Sequence, residues 1–527
     1  MQRRELLKAA ALTTLAPAIR PFEFLGRSTT PSSTAPSFST SNAPWQHAYD
    51  RALEVLAGNV QLLPHFPGPV LIEGAEYAGI WQECGPHESL VYSQFRPDVA
   101  RNTHMTFFAL QHEDGQLPAN NKRSETGFGQ IQMVVPIAAT AWEIAHATGD
   151  SELLQTAYSA CSRWDAWLLR YRNTRGTGLI EGFCTYDTGM DNSPRWAGMP
   201  RQCPDKDARK CAPVSTLPRL CPDLSATTYG ARMALASMAR TLGRNSEADE
   251  WLERAETLRK LILTKLYVHD DAAFYDLDAQ NHFVKINCDI LSRICGEHVV
   301  DQRLFDTLWT RQLGNPHAFW APYPLPSSAL DDPTFVRPIP RNSWGGPSQA
   351  LTALRAGRWF DHYNRSAEFA HMMEQWCNAI VRDPSFRQQL DPLTGDFTQS
   401  GSASYSPCAL VLYDYTWRLA GVRRQNDELH WNVRPDCPAS QNASFRTPLN
   451  RSGAIAELRY RPHTAELTIN NRPVAQLNGC ARLITDLDGT PRSLLGTSTT
   501  VTTFSFRLTG HPWRRITLAP NERKSLT

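Results

Sequence analysis

The chain has 527 residues, 41% of them apolar and 10% aromatic, which predicts one large domain or a large one with a smaller companion. Its 54 basic and 52 acidic side chains leave a net charge of +2, so charge gives no argument for a nucleic acid or an anionic membrane as partner. No stretch approaches the roughly 18 uninterrupted apolar residues of a membrane span, and the mature protein is expected to be soluble, without an integral membrane segment.

The first residues carry paired Arg3 and Arg4. A short apolar run follows from Ala9 to Ala18 and ends in Ala16-Pro17-Ala18, a small-x-small cleavage pattern. Residues 1–27 resemble a twin-arginine export signal, which implies a periplasmic or secreted protein. Residues 28–44, rich in Ser, Thr and Pro, read as a disordered linker.

From 45 to 421 the pattern is helix, loop, helix. Apolar spacing predicts helices over 47–57, 97–112, 130–148, 152–171, 225–242, 246–267, 286–295, 301–312, 347–356, 362–381 and 407–420. Some connections are tight, at Gly149-Asp150 and at Gly243 to Asn245. Others are long and rich in Trp, Asp, Glu, Gly and Pro: 73–96, 114–129, 176–222, 313–346 and 384–405. Repeated hairpins without the short period of a solenoid predict a mainly α, (α/α)6 ring of six hairpins. If the helices alternate in direction, the long loops share one face and form a pocket. After Gly421 the segments 429–434, 456–461, 466–470, 500–508 and 516–518 alternate polar and apolar residues, and 422–527 reads as a small C-terminal antiparallel β domain.

The stretch from Glu181 to Trp196 concentrates the chemistry. It packs carboxylates, aromatic rings and an arginine between a long helix and a Pro/Cys-rich loop. Aromatic faces suit pyranose rings, and a half-buried acid can hold a raised pKa and protonate a glycosidic oxygen. A similar cluster, Trp81 to Glu88, places Glu83 and Glu88 beside Trp81 and His87. Cys203, Cys211 and Cys221 share one loop without zinc-site spacing, and in an exported protein one pair among them is expected to form a disulfide. Nothing calls for a cofactor or metal. His87, His104, His112 and His317 lack ligand spacing, and there is no Gly-rich phosphate loop or Gly-x-Ser-x-Gly elbow.

Asp187-Thr-Gly-Met-Asp-Asn-Ser-Pro-Arg-Trp196 resembles the acid-bearing motif of a clan of inverting glycosidases that includes trehalases, processing α-glucosidases and mannosylglycerate hydrolases, all built on an (α/α)6 barrel. Gln111 to Pro118, Pro222 to Ser225, Ser343 to Ser348, Asp391 to Asp396 and Ser404 to Val411 are similar to further clan segments, in the same order. The resemblance implies Asp191 as general acid, Arg195 and Trp196 as sugar ligands, and Trp344 and Gly346 as pocket lining. It departs from the clan at the base, where a glutamate is expected and Gln388 stands. An amide cannot take a proton from water at neutral pH.

An inverting site needs two carboxyls about 6.5–9.5 Å apart. With Asp191 as one, Asp391 and Glu83 are the leading choices for the other. Trp81, Glu88, Asp114, Asp187 and Gln388 complete the expected substrate-binding set with Arg195, Trp196 and Trp344. The expected function is an exported glycosidase acting on α-linked oligosaccharides or small glycosides, with carbohydrate as its partner. A non-catalytic sugar-binding protein on a glycosidase scaffold is the alternative that Gln388 favours. A glycosidase with a different base, or a polysaccharide lyase using Tyr92, His87 and Arg341, is the third.

Overall fold

The structure is a computed structural model that describes residues 35–74, 76–337, 342–398, 403–449 and 453–526. The expected export signal over 1–27 lies outside the described residues, as does Arg341.

Twelve α-helices are described: α1 (Ala43–Gly58), α2 (Gly85–Tyr92), α3 (Pro97–Ala109), α4 (Ile137–Thr148), α5 (Ser151–Tyr171), α6 (Pro222–Thr241), α7 (Asn245–Lys265), α8 (Ile290–Gly296), α9 (Gln302–Leu308), α10 (Ala350–Ala356), α11 (Ser366–Arg382) and α12 (Ser406–Ala420). Local signals set their ends. The Asn42 side chain caps α1 by accepting from the Trp45 amide. Gly149, in the left-handed region at φ +69°, stops α4, and Asp150 then caps α5 through the Leu153 amide at 2.9 Å. Proline opens α6 at a position that needs no amide donor.

Three departures from expectation have physical causes. Residues 130–136 are not helical, because Gln132 has φ +45° and Pro136 fixes the entry to α4. Helix α2 lies inside what reads as a loop. It is short and buried on most sides, so it lacks an amphipathic stripe. The expected linker over 28–44 is ordered where it is described: Ser37–Ser39 is a strand paired with Ser444–Pro448, held by Phe38 packing on Tyr49 and Phe445.

Helix α2 packs on α4, α4 on α6, α6 on α8, α8 on α10, α10 on α12, and α12 on α2. Helices α3, α5, α7 and α11 pack on their neighbours, α3 on α2, α5 on α4, α7 on α6 and α11 on α12, while α1 rests on α11 and α12. Helices α6, α10 and α12 carry buried residues on nearly every side, Ser406–Ala420 above all. None of the described helices is long and apolar enough to cross a membrane.

After Gly421 the chain is mostly β. One antiparallel sheet joins 37–39, 444–448, 455–461, 464–469, 472–477, 502–508 and 514–518. A second joins 422–425, 428–433, 481–486, 491–495 and 523–525. Helix α12 packs directly on the strands 422–425 and 428–433. Four of the long loops expected to share a face (73–96, 176–222, 313–346 and 384–405) each send residues to one recess.

Candidate active site

The segment after α5 is braced from beneath. Asp187 is fully buried, accepts from the Ile131 and Phe183 amides at 2.8 and 2.7 Å, and is ion-paired with Arg172. Arg195, 1% exposed, grips two carboxylates at once: Asp223 at 2.7 and 2.8 Å and Asp276 at 2.6 and 2.8 Å. A small four-stranded sheet carries Asp276 to this point, and the first turn of α6 carries Asp223. Arg293 on α8 donates to the Thr188 carbonyl at 2.6 Å and to Asp223 at 3.1 Å, and the Trp196 indole donates to the Thr188 hydroxyl at 2.9 Å. The Trp344 amide donates to the Asp191 carbonyl at 3.0 Å. The backbone of Asp191 is therefore fixed, and the residue as a whole is half-buried.

These contacts correct four expectations. Asp187, Arg195 and Trp196 are buried and committed to the segment's own structure, so they position Asp191 instead of meeting a ligand. Trp344 is likewise 2% exposed, stacked under the guanidinium groups of Arg293 and Arg355 at 5.3 and 5.7 Å.

Glu83 is the second carboxyl of the recess. It follows the strand Gly79–Trp81, whose pairing with Asn120–Lys122 sets its direction, and precedes α2. Its Oε2 lies where a Cβ on Gly189 would be, 1.4 Å from that ideal position. Gly189 has φ +61°, and two residues later the chain reaches Asp191. Only a glycine lets the Glu83 carboxyl rest against this backbone. Burial, then the Glu73 and Asp191 carboxyls, push Glu83 up to about 8, against the pull of Arg293 and Arg355. Burial pushes Asp191 up to about 6, opposed by a hydrogen bond from Asn342 at 3.1 Å and by Arg201.

Two more acids lie behind them. Glu73 is held above the usual carboxylate range by burial and by Glu88, and the Tyr405 hydroxyl donates to it at 2.6 Å. Glu88 is wholly buried, and neither oxygen meets an N–H or O–H donor among the described residues. Burial raises it to about 8, with Glu83 adding to the effect and the Cys84 thiol opposing it. It is thus a buried acid behind Glu83, a correction to its expected place as a ligand-binding residue. His87 beside it is pushed well below its usual range by burial and by Arg358 and Arg355, so it stays neutral.

Gln388 stands at the edge of the same recess. Its Nε2 donates to Asn342 Oδ1 at 3.1 Å and its Oε1 accepts from the Tyr77 hydroxyl at 3.2 Å. A chain of polar contacts thus runs from Tyr77 through Gln388 and Asn342 to Asp191. Asp391, three residues on, is used by its own turn. It accepts from the Leu393 amide at 2.9 Å and pairs with Arg337 at 3.3 Å. Asp114 also lies in a turn, accepting from the Gln116 amide at 3.1 Å and the Trp167 indole at 3.2 Å. Both placements are those of turn-forming aspartates.

Sequence reasoning missed Tyr77, Tyr186, Glu73, Asn342 and Tyr405. Tyr77 and Tyr186 are half-buried and respond to the charge of Asp191, and Tyr77 meets the half-buried Trp81 edge to face at 5.9 Å. The only signal for Tyr186 was its place in the 181–196 stretch; for Asn342 there was none beyond its neighbour Trp344. Two buried clusters have the composition of cation sites, Cys184 with Asp187 and Cys203, and Cys221 with Asp223 and Asp276. In each the positive charge is already an arginine, Arg172 in the first and Arg195 in the second.

Residues 77–408 match the family described as the mannosylglycerate hydrolase MGH1-like glycoside hydrolase domain. The chain belongs to this family. As an MGH1-like glycoside hydrolase it is a glycosidase, of the clan whose motifs the sequence resembles. No curated protein matches it. Among solved structures it is similar to the GH63 mannosylglycerate hydrolase of Thermus thermophilus, with 18% identity, 70% of this chain and 100% of that one covered, and a TM-score of 0.57. The GH78 rhamnosidase of Bacillus sp. GL1 gives 12% identity, 82% and 41% coverage and a TM-score of 0.59. The neutral trehalase Nth1 of Saccharomyces cerevisiae gives 13%, 69% and 79%, and 0.51. These likenesses are in fold. The MGH1-like region spans Glu83, Asp191 and Gln388, and Glu73 lies just before it.

Proposed function

We propose that this glycosidase hydrolyses α-linked oligosaccharides or small glycosides by inversion, with Asp191 as general acid and Glu83 as the base that activates water. The observation that carries the reading is geometric: two carboxyls from separate loops, Glu83 resting against the backbone at Gly189 and Asp191 two residues further on, bordered by the half-buried rings of Tyr77, Trp81 and Tyr186. Such rings supply apolar faces for a sugar, and the carboxyls supply the proton donor and acceptor that inversion requires. Gln388 then serves as a hydrogen-bonding group that orders Tyr77 and Asn342. We also infer that the twelve helices close as an (α/α)6 toroid. The cyclic contact order of α2, α4, α6, α8, α10 and α12 supports that closure. The paired arginines near the start support export, which cell fractionation of the full chain tests.

A second reading exchanges the two roles. Glu83 has the higher proton affinity, so near pH 7 the proton rests on Glu83 and Asp191 is ionised. Leaving-group dependence separates the two. A variant lacking its acid still turns over an activated aryl glycoside, because that leaving group needs no proton; a variant lacking its base does not, and azide restores it. The proposal expects Asp191→Asn to keep the activated substrate and Glu83→Gln to lose both substrates until azide is added. The opposite pattern reverses the assignment. A wild type that binds sugars yet hydrolyses none of a panel of α- and β-linked glycosides returns the reading to a sugar-binding scaffold.

A further inference from the structure

The thiols of Cys184 and Cys203 lie 3.8 Å apart, sulfur to sulfur, both buried, in a small apolar cluster with Phe183 that is separate from the main core. Cys184 opens the turn that leads to Asp187 and Asp191, and Cys203 ends the same excursion, so the two residues bracket Gly189, Asp191, Arg195 and Trp196. The backbone already brings the two ends together. The Thr185 amide donates to the Pro200 carbonyl at 2.9 Å, the Tyr186 amide to the Arg201 carbonyl at 3.1 Å, and the Cys203 amide to the Gly129 carbonyl at 2.9 Å. Arg172 reaches both sides, ion-paired with Asp187 and donating to Cys203 Sγ at 3.5 Å.

We propose that Cys184 and Cys203 are a disulfide-forming pair that closes the acid-bearing segment into a covalent ring. A disulfide has its sulfurs about 2.05 Å apart, so an approach of about 1.8 Å is needed. The expected pairing within Cys203, Cys211 and Cys221 is thereby replaced. Cys221 is buried against Gly182 and the Arg219 carbonyl, and all twelve cysteines are free thiols in the structure. Cys211 is the competitor, since it packs on the edge of the same cluster.

The oxidant is a disulfide such as oxidised glutathione or a thiol oxidoreductase. Cys203 is itself buried but lies between the half-buried Gln202 and Pro204, so local opening of that stretch exposes it first to the oxidant. Its thiolate attacks one sulfur of the oxidant and expels the first thiolate, leaving a mixed disulfide. Cys184 then attacks Cys203 Sγ and expels the second. The pair loses two electrons and two protons, and the oxidant becomes two thiols. The bond holds Asp191 within a closed ring and restricts the freedom of that segment when the surrounding structure loosens.

The test uses the full purified chain, equilibrated with oxidised glutathione or with dithiothreitol, then denatured, alkylated and mapped by mass spectrometry. The expected result after oxidation is a cross-linked pair of peptides holding Cys184 and Cys203, lighter by two hydrogens than their reduced sum, with Cys211 alkylated in both samples. The half-life of activity on heating is expected to lengthen several-fold on oxidation, and Cys203→Ser abolishes that difference. Full alkylation of Cys184 and Cys203 after oxidation overturns the proposal, and so does a Cys203–Cys211 cross-link. Peptide mapping needs no turnover, so it stands or falls apart from the assignment of Asp191 and Glu83.

Discussion

Replacing Gly189 by alanine tests the placement of Glu83 with one methyl group. The residue sits at φ +61°, where a side chain costs roughly 1–2 kcal/mol in backbone strain. The new Cβ would stand 1.4 Å from Glu83 Oε2, where real contacts do not fall below 3.0 Å, so the carboxyl must retreat by about 1.6 Å. The obstructing atom is the end of a side chain, so the fold absorbs the change at little cost beyond the strain. The chemistry does not absorb it, because a misplacement of about 1 Å in a reacting group costs on the order of 10²-fold in rate. We expect Gly189→Ala to lower kcat/KM about a hundred-fold while unfolding free energy falls by about 1–2 kcal/mol. The assays are steady-state kinetics on a hydrolysed glycoside and urea unfolding of the same preparation. Unchanged kinetics in a folded variant would refute the role of Glu83 and the argument for the glycine.

Three further outcomes follow from the same geometry. Arg195→Met leaves Asp223 and Asp276 buried without their shared partner, and breaking a buried pair of this kind costs roughly 3–5 kcal/mol; urea unfolding measures it, and a loss below about 1 kcal/mol would contradict the bracing role. Gln388→Glu puts a carboxylate beside Asn342, which bonds Asp191, so the Asp191 limb of the pH–rate profile is expected to move upward; a large gain in turnover instead would mean that the clan's base position is the one that matters. Glu88 titrates near 4.5 when unfolded and near 8 when folded, so the native state binds its proton more tightly between those values. Stability from this group is greatest below pH 4.5 and is lost as pH rises through 8. The loss is a few kcal/mol at most, since each tenfold difference in proton affinity is worth roughly 1.4 kcal/mol. Thermal melts across that range are expected to fall less steeply in Glu88→Gln, and an unchanged slope would show that the buried acid is not the cause.

The residues that announced the site were those whose roles depend on local chain order. The Asp187 to Trp196 motif, the Trp81 to Glu88 cluster and the long loops could be read because special backbone and crowded chemistry leave a local signature. The same local reading misjudged what several of the side chains do there. Arg195 and Asp187 look like ligand-binding residues in a loop, yet their partners Asp223, Asp276 and Arg172 come from other elements and bury them. Asp391 and Asp114 look like free acids in a pocket, yet each closes its own turn. Helix α2 escaped notice because a short helix enclosed by others has no polar face to set a period.

The helical hairpins, the change to β structure after Gly421 and the clan were legible in the chain alone, because caps, periodicity and motif order are properties of neighbouring residues. The packing of Glu83 against the Asp191 segment arises from the fold in three dimensions. Glu83 and Gly189 are more than a hundred residues apart, and no local pattern records that one fills the space where the other lacks a side chain. The fold also decided the proton affinities, since burial and the charges of Glu73, Glu88, Arg293 and Arg355 converge on the recess from four separate segments. Electrostatics in a desolvated site depends on distance through space, and chain position does not encode that distance.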